Sequence, residues 1–232
     1  MIPLRDVNPN ERPPTMVITL IALNALAFWW ELSFPAARQE AMFLALGLVP
    51  ARYIDPADPG FSHFPGGYLP FLTSMFLHGG FMHFLGNMWF LWLFGDNVED
   101  RIGHAKFLLF YVLCGLAAGA THLALNPHSA VPTIGASGAI AGVMGAYAIT
   151  FPRAQVLTLI PLGFFMRTML LPAWVFLGFW FVIQFFYGAL AAAATHGQAT
   201  GVAFWAHVGG FVAGILLRPL FMRPDPRPRE WY

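Results

Sequence analysis

Charge is scarce in this chain. Asp, Glu, Lys and Arg together make up 10% of its 232 residues, where a soluble globular domain carries roughly 25%. No basic cluster stands out and the formal net charge is +1, which argues against a nucleic-acid surface. Cys114 is the only cysteine, so no internal disulfide and no thiolate metal site can form, and the redox compartment stays open. Acidic residues are missing altogether between Asp100 and Asp225. Nor is there an internal repeat of the kind that marks secondary transporters. What is left is 58% hydrophobic. That composition specifies an all-α, polytopic membrane protein of one domain, its length consumed by spans of about 20 residues.

The apolar runs place six transmembrane helices, at about 16–34, 81–95, 106–125, 135–151, 172–194 and 202–218, in a membrane domain covering 15–222. The first run has no small-residue cleavage site after a short core, so it reads as a retained span; Asn24 inside it is expected to bond to a neighbouring helix. Residues 1–14 read as an N-terminal tail, and 223–232, where Arg alternates with Pro, as a disordered C-terminal one. The mixed stretch 35–70 reads as an interfacial loop with a short amphipathic helix at 41–48. The expectation for 95–103 is a polar turn, and for 156–171, interrupted by Pro161 and Arg167, a connector embedded at its edges without crossing. His122 and His128 are expected at the interface. With six spans, Arg5, Arg12, Arg101, Lys106, Arg153, Arg167, Arg218, Arg223, Arg227 and Arg229 share one side, and only Arg38 and Arg52 the other. By the positive-inside rule both termini are then cytoplasmic, as in a multi-pass protein of the bacterial cytoplasmic (inner) membrane.

Four polar side chains stand out within the apolar runs: His83, Asn87, Ser137 and His207. Polar groups are costly in a bilayer and default to function there, serine being the mildest case because it can bond back to its own helix. The run Gly135-Ala136-Ser137-Gly138 can also be read as close helix packing alone. Company decides between the readings. With the alternating topology, Ser137 lies two residues into its span, His207 about five, and His83 and Asn87 about two and six; at about 1.5 Å per residue these differences span only roughly 6 Å. One layer near the outer boundary can therefore hold all four.

In that layer a neutral His207 can accept the Ser137 proton and make the hydroxyl a nucleophile. Asn87, His83 and the Ser137 backbone N–H can stabilise the oxyanion that follows. No acid is at hand for a third member, so the pattern is a Ser–His dyad rather than an acid-supported triad. The soluble nucleophile elbow G-x-S-x-G is excluded because position 139 is Ala139. Zinc is the competing use of His83, His207 and His78. It is disfavoured because there is no H-E-x-x-H and no acidic or thiolate ligand in the layer, so no metal and no cofactor is expected.

These residues resemble the rhomboid intramembrane serine proteases. The pieces that carry the resemblance are His83-Phe84-Leu85-Gly86-Asn87, Phe94-Gly95-Asp96-Asn97-Val98-Glu99 leading to Gly103, Gly135-Ala136-Ser137-Gly138, and Ala206-His207-Val208-Gly209-Gly210 with Gly214, in the family's order over about residues 68–220. The resemblance implies a six-helix rhomboid bundle with Ser137 as nucleophile, His207 as general base, and Asn87 and His83 at the oxyanion. It further implies close packing at Gly135, Gly138, Gly210 and Gly214, and a structural hydrogen-bond network at Glu99. The implied substrates are single-span or other transmembrane proteins, cut near the outer membrane boundary within the lipid bilayer. Two family features are absent: a Trp-Arg pair before the second span, where this chain reads Tyr68-Leu69-Pro70-Phe71, and an aromatic four residues after the serine, where it has Ala141. The fifth span, with Trp174, Phe176, Phe179, Trp180 and Phe181, and the loop 195–201 are the candidate gate and cap; lipid-facing aromatics are the plain alternative for the former. Rival functions are an inactive rhomboid-like factor that binds and escorts membrane proteins, and a channel or transporter.

Overall fold

The centre of the computed structural model is a 14-residue helix, half of it glycine and alanine. The structure describes residues 1–54, 67–163, 165–194 and 203–222. Its helices are α1 (Thr15–Leu32), α2 (Ala36–Leu46), α3 (Pro70–Thr73), α4 (Phe81–Ile102), α5 (His104–Leu125), α6 (Ser137–Thr150), α7 (Ala173–Ala194) and α8 (Phe204–Phe221). Apolar on every side, α6 is buried from Gly138 to Ala148, the position such a helix must take. Its glycines let the neighbours approach to backbone contact. A Cβ on Gly210 would strike the Gly138 carbonyl oxygen, and one on Gly214 that of Gly142. Matched pairs spaced four apart on two helices are the small-residue seam by which helices associate without a hydrophobic drive. On another face, a Cβ on Gly138 would lie 2.6 Å from the Ala118 Cβ of α5.

Among the described residues four helices, α1, α5, α7 and α8, are long and apolar enough to cross a membrane. At 14 residues α6 is shorter, while α4 reaches 22 residues but carries Asp96, Glu99, Asp100 and Arg101 in its last two turns. The polar turn expected over 95–103 is therefore helical as far as Ile102, and the break comes at Gly103, whose φ of +86° suits glycine. The charges are tolerated because they serve a neighbour. No side chain of α1's own caps its N-terminus; instead Glu99 accepts the N–H groups of Met16 and Val17 at 2.8 and 2.7 Å, and also pairs with His104. A carboxylate at those free N–H groups is favoured by both hydrogen bonding and the helix dipole.

The departure from an all-helical chain is a three-stranded antiparallel sheet, β1 (Ile2–Asp6), β2 (Gln155–Leu162) and β3 (Phe165–Pro172), in the order β1-β2-β3. The expected connector is a hairpin in register from Gln155↔Pro172 to Leu162↔Phe165, turning at Gly163 with φ +63°, as a tight hairpin turn requires. The expected N-terminal tail is its third strand. This segment climbs along α4: Asn10 donates to Asp96 at 3.1 Å, Asn97 to the Asn8 carbonyl at 3.2 Å, and the Trp89 indole to the Pro3 carbonyl at 2.7 Å. Tyr147 of α6 donates to Asp6; burial still pushes that carboxyl up to about 6, against the pull of the Tyr147 and Asn8 hydrogen bonds. Asn24 bonds back to the Leu20 carbonyl of its own helix at 2.8 Å rather than across to another. The loop 195–201 and the tail 223–232 lie outside the described residues.

Candidate active site

Ser137 is the first residue of α6, so its backbone N–H belongs to the turn that has no acceptor within the helix. The glycine seam sets what faces it. Gly210 of α8 packs on Gly138, and His207, one turn earlier, is thereby brought level with Ser137. The His207 Nε2 lies 2.7 Å from the Ser137 Oγ. The other ring nitrogen, Nδ1, is 2.7 Å from the side-chain carbonyl oxygen of Gln184 on α7. A carbonyl oxygen only accepts, so Nδ1 carries the hydrogen and Nε2 presents its lone pair to the serine hydroxyl.

His83 and Asn87 come from the first two turns of α4 and meet the chain at Gly135, two residues ahead of the serine. A Cβ on Gly135 would lie 2.7 Å from the His83 Nε2 and 3.5 Å from the Asn87 Nδ2, and its φ of +120° is in glycine's range. The Gly79 N–H donates to the His83 Nδ1 at 3.4 Å, which leaves the His83 hydrogen on Nε2, toward the site. Asn87 is 6% exposed, and its Nδ2 has no hydrogen-bond partner among the described residues. Leaving such a donor unmet costs about 1–3 kcal/mol, which a folded protein accepts where a ligand supplies the acceptor.

The groups open onto a cavity of about 700 Å³, walled by Met82, His83, Asn87 and Phe90 of α4, Ile140 and Met144 of α6, Trp180 and Gln184 of α7, and the segment 131–134. At the ends away from Ser137 its flanking helices α4 and α7 touch, Phe94 to Phe176 at 6.2 Å between ring centroids. His122, expected at an interface, is instead 3% exposed and lines this cavity. Asn126 donates to its Nδ1 at 3.4 Å, and its Nε2 has no partner among the described residues. His78 is buried as well, its ring centroid 5.2 Å from that of His83, while its backbone N–H donates to Glu31 at 3.2 Å. Among the described residues no group of three or more His, Cys, Asp or Glu is placed to hold a metal ion. In place of the missing aromatic at Ala141, Trp180 lies against His207, with centroids 5.8 Å apart and planes at 42°. The stretch without the Trp-Arg pair packs through rings, Phe71 against Tyr53 at 5.5 Å and Tyr68 against Tyr53 at 6.1 Å.

Gln184 is the residue that sequence reasoning passed over. It is the one carboxamide in an otherwise apolar 22-residue helix, and that isolation was the available signal.

Comparison with known proteins agrees with this architecture. The family model described as "Rhomboid domain" matches residues 65–224. Among curated relatives, the rhomboid protease GluP of Bacillus subtilis is 31% identical over 134 residues, 57% of this chain and 24% of its own. The putative rhomboid protease YdcA of the same organism is 37% identical over 131 residues, 56% of this chain and 60% of its own. Rhomboid protein 1 of Saccharomyces cerevisiae mitochondria is 29% identical over 152 residues, 62% of this chain and 39% of its own. The chain thus matches only part of the length of each. With the family model covering well over half of its residues, the chain belongs to the rhomboid family of integral membrane proteins.

Proposed function

We propose that this chain is an intramembrane serine endopeptidase that cleaves transmembrane segments near the outer membrane boundary. In this reading α1, α4, α5, α6, α7 and α8 are six spans, with both termini in the cytoplasm of a bacterial cell. The observation that carries the reading is the 2.7 Å contact between the Ser137 Oγ and the His207 Nε2, made between two helices and opening onto a cavity with a predominantly apolar wall.

Hydrolysis then proceeds in two halves. As the Ser137 oxygen attacks the scissile carbonyl carbon, its proton passes to the His207 Nε2 and the carbonyl π electrons move onto oxygen. The Asn87 Nδ2, the His83 Nε2 and the Ser137 N–H donate to that oxyanion, and they are fixed before the charge develops, which is what makes such donors effective. Collapse of the tetrahedral state expels the amine, which takes the proton from His207. Water entering the cavity repeats the sequence on the acyl-enzyme, returning Ser137 and releasing the new carboxylate. A substrate helix must unwind to present its carbonyl, so segments with Gly, Ala, Ser or Pro near the outer boundary are favoured.

The test is incubation of the purified protein with single-span substrates in proteoliposomes and mapping of the new termini. Cleavage within or beside the span, lost in Ser137→Ala and in His207→Ala, is the expected result. Cleavage that persists in Ser137→Ala overturns the assignment.

A further inference from the structure

A dyad leaves one question open: what holds the imidazole. Neutral histidine has two tautomers, and a ring free to turn about its side-chain bonds presents the Nε2 lone pair to serine only part of the time. Here the described residues supply a third partner. The Gln184 carbonyl oxygen accepts from the His207 Nδ1 at 2.7 Å while the His207 Nε2 faces the Ser137 Oγ at the same distance. One turn before Gln184 on the same face of α7, Trp180 lies over the ring.

We propose that Gln184 is a positioning residue for proteolysis, completing a Ser137–His207–Gln184 relay that fixes the imidazole's tautomer and direction. This rests on the protease reading above. An amide suits the place, because its carbonyl accepts the N–H of the neutral imidazole without leaving a lone charge in the bundle, whereas a carboxylate there is stabilised chiefly by pairing with the imidazolium. Its limit follows from the same fact. The amide orients the ring but offers the imidazolium formed during attack less stabilisation than an acid would.

The placement also constrains α7. It is zipped to α8 by Phe181 on Phe211 at 4.8 Å, Phe185 on Trp205 at 5.7 Å and Tyr187 on Phe204 at 5.7 Å. A substrate that pushed the middle of α7 outward would take Gln184 off the histidine. Substrate entry past α7 therefore leaves the turn from Trp180 to Gln184 in place during chemistry.

The experiment compares Gln184→Met, which keeps length and volume but has no carbonyl, with Gln184→Glu, which restores an acceptor. For Met the expected result is a fall in kcat of roughly 10- to 100-fold with KM changed by less than about twofold. For Glu, kcat recovers, and the acid limb of the pH–rate profile moves up by about one unit or more because a carboxylate favours the imidazolium. The other titratable groups facing His207 are His83 from α4 and His122 from α5, with Ser137 from α6; both variants retain them, so the displacement reports on position 184. Should the Met variant fail to fold, the Glu profile decides alone. A Met variant with wild-type kcat overturns the proposal, as do two variants that lose rate alike with an unmoved acid limb, the signature of packing. Wild-type protein that cleaves nothing overturns the protease reading itself, an outcome separate from both.

Discussion

The two ends of the bundle use polar groups in opposite ways. At the Glu99 end four carboxylates have donors: Glu99 takes Met16, Val17 and His104, Asp6 takes Tyr147 and the Asn8 N–H, Asp96 takes Asn10 and the Asn97 N–H, and Asp100 takes the Glu11 N–H. Among the described residues the buried Asn8 Nδ2 and Asn97 Oδ1 there go without, as does the Tyr111 Oη two turns along α5. At the Ser137 end the buried Asn87 Nδ2 and His122 Nε2, both on residues that line the cavity, have no partner among the described residues. Satisfied polar groups hold elements together, and unsatisfied ones around a cavity await something that arrives later. In the proposed mechanism one end serves the fold and the other a substrate.

Substitutions that separate stability from rate sharpen this contrast. Glu99→Ala carries the largest stability effect, because it strands the two N–H groups that start α1. Losing two hydrogen bonds to a charged acceptor costs about 3–6 kcal/mol in total, measured as a fall in the thermal midpoint in detergent, with rate per folded molecule unchanged. A Glu99→Ala protein as stable as wild type would erase the distinction between the ends. Asn87→Ala is the mirror case. It should lower kcat by about 10² to 10³ while leaving the thermal midpoint where it was or slightly higher, since an unmet donor has been removed. Unfolding of Asn87→Ala, or normal cleavage by it, would deny the oxyanion role.

The smallest effect is one of pH. Asp6 is held at about 6 against an ordinary 3.8, so the folded state favours the protonated acid. Its contribution to stability is complete below about pH 4, falls as pH rises from there to about 6, and is gone above that. The span amounts to at most about 3 kcal/mol and less with solvent screening. Asp6→Asn should flatten that slope in thermal denaturation between pH 4 and 7; an unchanged slope would remove Asp6 from the account.

Much of the site could be read from the sequence because membrane interiors make polar residues conspicuous. His83, Asn87, Ser137 and His207 stood out against apolar runs, and helix rise with alternating direction was enough to put them in one layer. The four-residue spacing of Gly210 and Gly214 matched a seam on α6 that needs only small residues to form. What escaped was set by tertiary contact. The charges of 96–101 looked like a turn because their partners, the first N–H groups of α1, lie some 80 positions away. Pro161 and Arg167 read as interruptions because they lie near the turn of a hairpin, Pro161 opposite Met166 and Arg167 opposite Ile160, and pairing between strands leaves no helical period in the sequence. His122 sits near a helix end and was given to the interface, yet the segment 131–134 helps close the cavity it faces. Gln184 was legible in principle, as a lone amide in an apolar span, and was hidden by the aromatics around it.

In the proposed mechanism His207 makes Ser137 a nucleophile. The most direct measurement is the rate of covalent labelling by a serine-directed fluorophosphonate, with the modified peptide identified by mass. Label on the peptide carrying Ser137, absent in Ser137→Ala and strongly slowed in His207→Ala, is the predicted result. Label that survives Ser137→Ala, or that forms equally fast without the His207 imidazole, would contradict it.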